Sequence, residues 1–163
     1  MAALAVVLAG CGSSYGGASG GSTPTSGTSP QTIATTSGPL GTYLTTSGGR
    51  SVYLWLGDHG MASSCSGACA TVWPPVTTMG KPTAGSGVTA ADLGTIKRSD
   101  GSTQVTYKGH PLYYYASDSS SGETNGEGIN GFGALWYLVT PSGSSLKPGS
   151  NPSSSSSSGG YNY

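Results

Sequence analysis

One short motif occurs twice in this sequence, and the repetition constrains the fold more than any other feature. Tyr53-Leu54-Trp55-Leu56-Gly57-Asp58 returns 60 residues later as Tyr113-Tyr114-Tyr115-Ala116-Ser117-Asp118, so both copies read Tyr-x-aromatic-x-x-Asp. Because side chains alternate between the two faces of a strand, each copy places apolar or aromatic side chains on both faces. Such a segment is typical of a strand that is covered on both sides. A fixed period of self-similarity predicts two structurally related halves.

The flanking residues repeat as well. Leu40-Gly41-Thr42 precedes the first motif and Leu93-Gly94-Thr95 precedes the second, and a glycine-containing turn follows each triplet. Downstream, Trp73-Pro74-Pro75-Val76 has a counterpart in Trp136-Tyr137-Leu138-Val139. We therefore predict one β domain over residues 39–140, with repeat one at about 39–80 and repeat two at about 92–140.

The predicted fold class is mostly β: a compact antiparallel β domain built from two tandem related repeats, with disordered tails. Asp100-Gly101 between two β-forming runs is a hairpin signal. Short helical turns are expected within residues 64–71 and 89–93. The strand candidates are rich in β-branched and aromatic residues and are bounded by Gly, Ser or Pro; they cover residues 52–56, 105–107, 112–115 and 134–139.

Charge is scarce and balanced in this chain. Only 7% of the 163 residues are charged, six are Lys or Arg and six are Asp or Glu, and the first charged side chain is Arg50. A nucleic-acid-binding domain usually carries a clustered basic face, so nucleic acid is not an expected partner.

The two ends of the chain differ in composition from the middle. Residues 1–11 end in Leu8-Ala9-Gly10-Cys11, which resembles the lipobox of bacterial lipoproteins and predicts a fatty-acylated Cys11 as a membrane anchor. The apolar part is short and has no basic residues before it, so we expect the natural signal to begin further upstream. Residues 12–38 predict a Ser/Gly/Thr/Pro-rich tether, and residues 141–163 a disordered low-complexity tail.

The central segment resembles a family of predicted bacterial lipoproteins that is described by a Tyr-x-(Phe/Trp/Tyr)-x-x-Asp motif, also called the secreted repeat of unknown function. The resemblance implies a surface-anchored, extracytoplasmic lipoprotein without a settled activity. The residues that carry it are Tyr53, Trp55, Asp58, the stretch from Cys65 to Cys69, Trp73-Pro74-Pro75, Arg98-Ser99-Asp100-Gly101, Tyr107, Tyr113, Tyr115 and the stretch from Gly131 to Val139, with Asp118 completing the second motif.

Two cysteines remain besides Cys11. Cys65 and Cys69 form a Cys-x-x-x-Cys loop, and outside the cytoplasm such a pair is expected to oxidise to a disulfide. The alternative is a metal or redox site, because thiolate and thioether ligands favour copper(I). Its candidate ligands are Cys65, Cys69, His59, Met61 and His110, with Met79 nearby in sequence. The disulfide reading implies no cofactor; the alternative implies a copper ion.

The carboxylates give no recognisable catalytic arrangement. Asp58 and Asp118 end corresponding segments, and we predict that each accepts hydrogen bonds from the turn that follows. The other reading is a symmetric functional pair of carboxylates. Glu123 and Glu127 lie in a Gly/Ser/Asn-rich loop that we expect to be flexible and solvated. We therefore expect no enzyme activity.

Aromatic side chains are numerous for so small a domain, with 10 Tyr and 3 Trp. Most are expected in the core, and a part of them could line a groove for a glycan or apolar ligand. The functional expectation is a non-enzymatic binding or structural module of the cell envelope, anchored to the membrane through Cys11. Its expected partners are a cell-wall polymer, a glycan or an envelope protein.

Overall fold

The computed structural model describes residues 29–147 of the chain, and this part is mostly β, as predicted. Cys11 lies outside the described residues. No helix within residues 29–147 is long and apolar enough to cross a bilayer. The elements of this part are β1 (Thr32–Gly38), β2 (Gly41–Thr46), β3 (Tyr53–Trp55), α1 (Ala68–Val72), β4 (Thr83–Ala84), a 3-10 turn (Ala90–Asp92), β5 (Leu93–Lys97), β6 (Thr103–Tyr107), β7 (His110–Pro111), β8 (Asn130–Gly131) and β9 (Ala134–Leu138).

The strands form three small sheets with the orders β2-β1-β4, β3-β9-β8 and β5-β6-β7. Pairing is antiparallel except between β1 and β4, which run parallel. The predicted hairpin joins β5 to β6. Its turn is stabilised by Asp100, whose Oδ1 accepts a hydrogen bond from the Ser102 amide at 2.9 Å, and by Gly101, whose φ of 82° suits glycine.

The two repeats meet at their motif tyrosines. The Tyr53 amide donates to the Tyr113 carbonyl at 2.8 Å, and the Tyr113 amide donates to the Tyr53 carbonyl at 2.9 Å. This reciprocal pair is expected where two related halves face each other across an approximate two-fold axis. The two predicted repeats are therefore structurally equivalent at their centre.

Each repeat also lends its C-terminal segment to the other. The first motif strand, β3, pairs with β9 from the second repeat. In the same way the second motif lies against the end of α1 and the residues that follow it, because Tyr114 donates to the Pro74 carbonyl at 2.8 Å and Ala116 to the Val72 carbonyl at 2.9 Å. The sheets of the two halves are thus interleaved.

Two apolar clusters lie on opposite faces of the β3–β9 pair. Leu54 and its partner Tyr137 face an aliphatic cluster built around Ile33, Leu44 and Val105. On the other face an aromatic cluster contains the tryptophans and motif tyrosines together with both cysteines of the loop. The prediction that the first motif strand is covered on both sides holds for Val52 to Leu54 but not for Leu56, which directly follows β3 and is 53% exposed.

The predicted tether was too long at its C-terminal end. We expected residues 12–38 to lack structure, but β1 occupies Thr32–Gly38 and pairs with β2 from Ile33 to Gly38. Ile33 is fully buried and anchors this strand, and its threonines favour an extended backbone. A single buried isoleucine among Ser, Thr and Gly was too weak a sequence signal for a strand.

The predicted tail also begins too early. Residues 141–147 continue the fold, since the Leu146 amide donates to the Leu138 carbonyl at 2.8 Å and the Leu146 side chain is only 5% exposed. Another difference concerns residues 112–115, where Tyr113 forms isolated bridges to Tyr53 and Pro75 instead of a regular strand. The Tyr114 amide donates to the Pro74 carbonyl, but Pro74 has no amide hydrogen to donate in return.

Candidate functional site

The motif tyrosines and aspartates pair across the two repeats. The Tyr53 hydroxyl donates to Asp118 Oδ2 at 2.6 Å, and the Tyr113 hydroxyl donates to Asp58 Oδ2 at 2.7 Å. Each tyrosine therefore contacts the aspartate of the opposite repeat. Sequence reasoning found all four residues but not this exchange, because the equal spacing of Tyr and Asp in both copies fits pairing within a repeat equally well.

The second oxygen of each aspartate contacts the loop that follows it. Asp58 Oδ1 accepts a hydrogen bond from the Ser64 amide at 2.8 Å, and Asp118 Oδ1 accepts one from the Asn125 amide at 2.9 Å. These are the turn contacts that the sequence suggested. The two carboxylates thus fix their own loops and also link the repeats.

Burial dominates the electrostatics of these pairs. It raises the pKa of both Tyr53 and Tyr113 above the usual range, and the neighbouring Asp118 and Asp58 add to that shift. Burial also raises the pKa of Asp58, opposed by its hydrogen bonds from Ser64 and Tyr113. Both phenols are therefore neutral donors at neutral pH.

Arg98 extends the Tyr113–Asp58 pair into a larger polar network that sequence reasoning did not identify. Its side chain is only 4% exposed. The guanidinium donates to Ser63 Oγ, to Gln104 Oε1 at 2.7 Å and to the Cys65 carbonyl at 2.6 Å. Ser63 Oγ lies 2.7 Å from the Tyr113 hydroxyl, which completes the connection. In the other pair, Tyr53–Asp118, the Tyr53 hydroxyl oxygen accepts a hydrogen bond from the Gly126 amide at 3.3 Å.

Four aromatic rings form a continuous series of face contacts, here named the aromatic stack. Trp73 and Trp136 stack in parallel with ring centroids 3.9 Å apart. Trp55 stacks on Trp136 at 5.2 Å, and Tyr115 lies against Trp73 at 4.5 Å. Each central ring also meets a motif tyrosine edge-on: Tyr53 on Trp73 at 5.5 Å and Tyr113 on Trp136 at 5.2 Å.

Glycines allow close approach to this aromatic cluster. A β carbon on Gly57 would lie 2.4 Å from the Trp55 ring, and one on Gly126 would lie 2.9 Å from both Trp73 and Tyr53. The loop that we predicted to be flexible and solvated is therefore packed at Gly126 against the core.

The two loop glutamates differ, which corrects the expectation that both are solvated. Glu123 Oε2 accepts hydrogen bonds from the backbone amides of Ser120 and Ser119, which lower the pKa of this exposed-loop carboxyl. Burial raises the pKa of Glu127 to about 7. Glu127 Oε2 accepts from the Leu138 amide at 2.6 Å, while Oε1 is buried without a hydrogen-bond partner among the described residues.

Cys65 and Cys69 form a disulfide, with their Cα atoms 5.2 Å apart, which confirms the predicted pair. The oxidised sulfurs are not available as thiolate ligands, and both cysteines are buried. His59, Met61 and His110 are exposed. Met61 does lie beside Gly109, the neighbour of His110 in the other repeat. Between residues 29 and 147 no group of three or more His, Cys, Asp or Glu side chains is placed to hold a metal ion.

Apolar side chains are exposed at one end of the β3–β9–β8 sheet. Leu56 is 53% exposed, and its amide donates to the Leu135 carbonyl at 3.0 Å. Three residues before Leu135, Phe132 occupies the β8–β9 turn with 47% exposure and a φ of 57°. Bulky residues rarely adopt positive φ, so this turn is strained. Leu56, Phe132 and the half-buried Leu135 and Trp55 are here named the apolar tip.

The fold and the site define a tandem-repeat β protein in which one motif, used twice, joins the two halves. The sequence matches the family model described as a secreted repeat of unknown function over residues 34–77 and again over residues 94–140. The chain belongs to this family, and the protein is accordingly extracytoplasmic. No curated protein and no solved structure matches the chain.

Proposed function

We propose that this protein is a lipid-anchored module of the cell envelope that uses its β domain to bind an envelope component. The lipobox at Leu8 to Cys11 supports the anchor, and the secreted family supports an extracytoplasmic site of action. Residues 12–28, between Cys11 and the described domain, are Ser, Gly, Thr and Pro with few exceptions.

The observation that carries the binding role is the apolar tip. A strained Phe132 at a hairpin turn is destabilising, and glycine or asparagine fits this backbone better. Strain combined with an exposed aromatic ring is typical of residues kept for an interaction. The neighbouring Leu56 enlarges the surface. The tip therefore suits an envelope protein or polymer that offers apolar contacts.

Metabolic labelling with a clickable fatty acid tests the anchor. Expression behind a functional lipoprotein signal should place the label and the protein in the membrane fraction, and Cys11→Ser should release unlabelled protein. Cys65→Ser is the matched control because it removes a buried disulfide cysteine and leaves Cys11 intact. A Cys11→Ser protein that stays membrane-bound and labelled contradicts the anchor.

Cosedimentation with isolated envelope fragments tests the binding role. Phe132→Gly should weaken binding about tenfold, equivalent to roughly 1.4 kcal/mol, while raising the melting temperature through relief of strain. Met79→Ser is the control, since Met79 is 60% exposed but belongs to another surface. Equal binding by wild type and Phe132→Gly would exclude the tip as the binding surface.

A further inference from the structure

The aromatic stack connects the surface of the domain to its buried Tyr–Asp pairs. Its central rings are enclosed, with Trp73 1% and Trp136 0% exposed. Its outer rings, Trp55 and Tyr115, are only partly buried. Every neighbouring pair of rings in this series has centroids between 3.9 and 5.2 Å apart. Indole and phenol are the side chains that lose an electron most readily, so the stack is a path along which an oxidising equivalent can move inward.

Each central ring of the stack contacts a phenol that is hydrogen-bonded to a carboxylate. Loss of one electron makes a phenol strongly acidic, and a neutral tyrosyl radical forms only when a base accepts its proton. Asp118 Oδ2 lies 2.6 Å from the Tyr53 oxygen, and Asp58 Oδ2 lies 2.7 Å from the Tyr113 oxygen. Transfer over such a short hydrogen bond needs no movement of either side chain. The arrangement occurs twice, in related positions.

Packing alone does not require these carboxylates. Asp118 is only 2% exposed, and a buried carboxylate costs free energy that its hydrogen bonds offset only in part. Apolar residues of similar volume frequently stabilise a core as well as or better than buried charge. A role for the carboxylate as a proton acceptor accounts for its position next to the phenol.

We infer that the domain is a one-electron relay. A one-electron oxidant removes an electron from Trp55 or Tyr115 at the surface, and the electron vacancy passes along the aromatic stack to Tyr53 or Tyr113. The phenolic O–H bond breaks, the proton moves to Asp118 or Asp58, and the products are a neutral tyrosyl radical, a carboxylic acid and the one-electron-reduced oxidant. A one-electron donor reverses the reaction, and the proton returns to the phenol.

The test uses the full chain with photogenerated tris(bipyridine)ruthenium(III) as the oxidant, followed by transient absorption and electron paramagnetic resonance. Wild type should give a neutral tyrosyl radical. The double variant Tyr53→Phe/Tyr113→Phe should lose this signal, whereas Asp58→Asn/Asp118→Asn should slow its formation about 100-fold because amides do not accept the proton. Tyr114→Phe is the matched control: the Tyr114 side chain interacts with Thr46 and Arg50 and with no carboxylate, so this variant should leave the signal unchanged.

A tyrosyl signal of the same size and lifetime in Tyr53→Phe/Tyr113→Phe would overturn the inference. If that variant does not fold, the solvent isotope effect on radical formation in the wild-type protein tests the inference. Radical formation slower in D2O than in H2O supports coupled transfer of the proton, and equal rates overturn it. The relay and the envelope-binding role share Trp55, and Phe132→Gly separates them because Phe132 is not one of the stacked rings.

Discussion

At the residue scale, the hydroxyl groups of the motif tyrosines join the two repeats. The Tyr53 hydroxyl donates a hydrogen bond to Asp118, and the Tyr113 hydroxyl donates one to Asp58. The aromatic residue between the tyrosine and the aspartate of the motif also joins the repeats, since Trp55 stacks on Trp136 of the other repeat. The spacing Tyr-x-aromatic-x-x-Asp therefore places two interactions on one strand face and the carboxylate at the turn beyond it.

Removal of one motif hydroxyl should show the strength of the exchange. Tyr53→Phe leaves the buried Asp118 carboxylate without its phenol donor, so we expect a loss of about 2–3 kcal/mol in the free energy of unfolding. Tyr114→Phe removes a hydrogen bond with the neutral Thr46 hydroxyl and should cost about 1 kcal/mol. Urea denaturation measures both. Equal losses would mean that the charged partner adds nothing.

Glu127 should make stability depend on pH. Its pKa is raised from 4.5 to about 7 by burial, so the folded protein holds a proton that the unfolded chain has released. Stability contributed by the neutral carboxyl is complete below pH 4.5 and is lost as the pH rises through 7. With a discount for partial solvent exposure, the loss is about 2 kcal/mol.

Thermal unfolding at pH 5 and pH 8 measures this effect, with Glu127→Gln as the isosteric control. The amide does not ionise, so the variant should lose most of the difference between the two pH values. Glu123→Gln should retain it, because hydrogen bonds from the Ser120 and Ser119 amides lower the pKa of Glu123. A Glu127→Gln protein with the wild-type pH dependence would assign the effect to another group.

At the element scale, the short strands and the helix of this domain are stabilised by contacts with other elements. β3 has three residues and α1 has five, and neither is long enough to be stable alone. The disulfide between Cys65 and Cys69 fixes the turn that begins α1, and Trp73 follows directly as its C-cap. The disulfide thus positions Trp73, which is one of the two rings in the central Trp73–Trp136 contact.

Loss of the disulfide should weaken the protein moderately. The closed loop is small, so Cys65→Ser/Cys69→Ser should lower the free energy of unfolding by about 2 kcal/mol on the chain-entropy model. Guanidinium denaturation of this variant and of reduced wild type should give matching midpoints. A variant as stable as oxidised wild type would contradict a structural role for the bridge.

At the scale of the whole molecule, interleaving makes the domain one cooperative unit. Val139 accepts a hydrogen bond from Leu44 of repeat one, and Val76 accepts one from Val105 of repeat two, both at 2.8 Å. Each half therefore lacks a strand partner and a tryptophan when the other is absent. Duplication of the sequence gave two halves that complete each other.

Separated halves test this view. Fragments 29–91 and 92–147 should each be unfolded by circular dichroism and tryptophan fluorescence, because each exposes its part of both apolar clusters. An equimolar mixture should regain the signal of the intact domain in proportion to concentration. A fragment that unfolds cooperatively by itself would show that the repeats are independent.

The amino-acid sequence alone determined the β class, the duplication, the β5–β6 hairpin and the Cys65–Cys69 pair, because each depends on local spacing, turn chemistry or redox environment. It did not determine β1, whose evidence is the single buried Ile33, or the partial burial of Glu127 in a polar loop. Tertiary structure decided which tyrosine meets which aspartate and which rings stack. Those contacts join residues far apart in the chain, and a repeated motif fits pairing within a repeat as well as exchange between repeats.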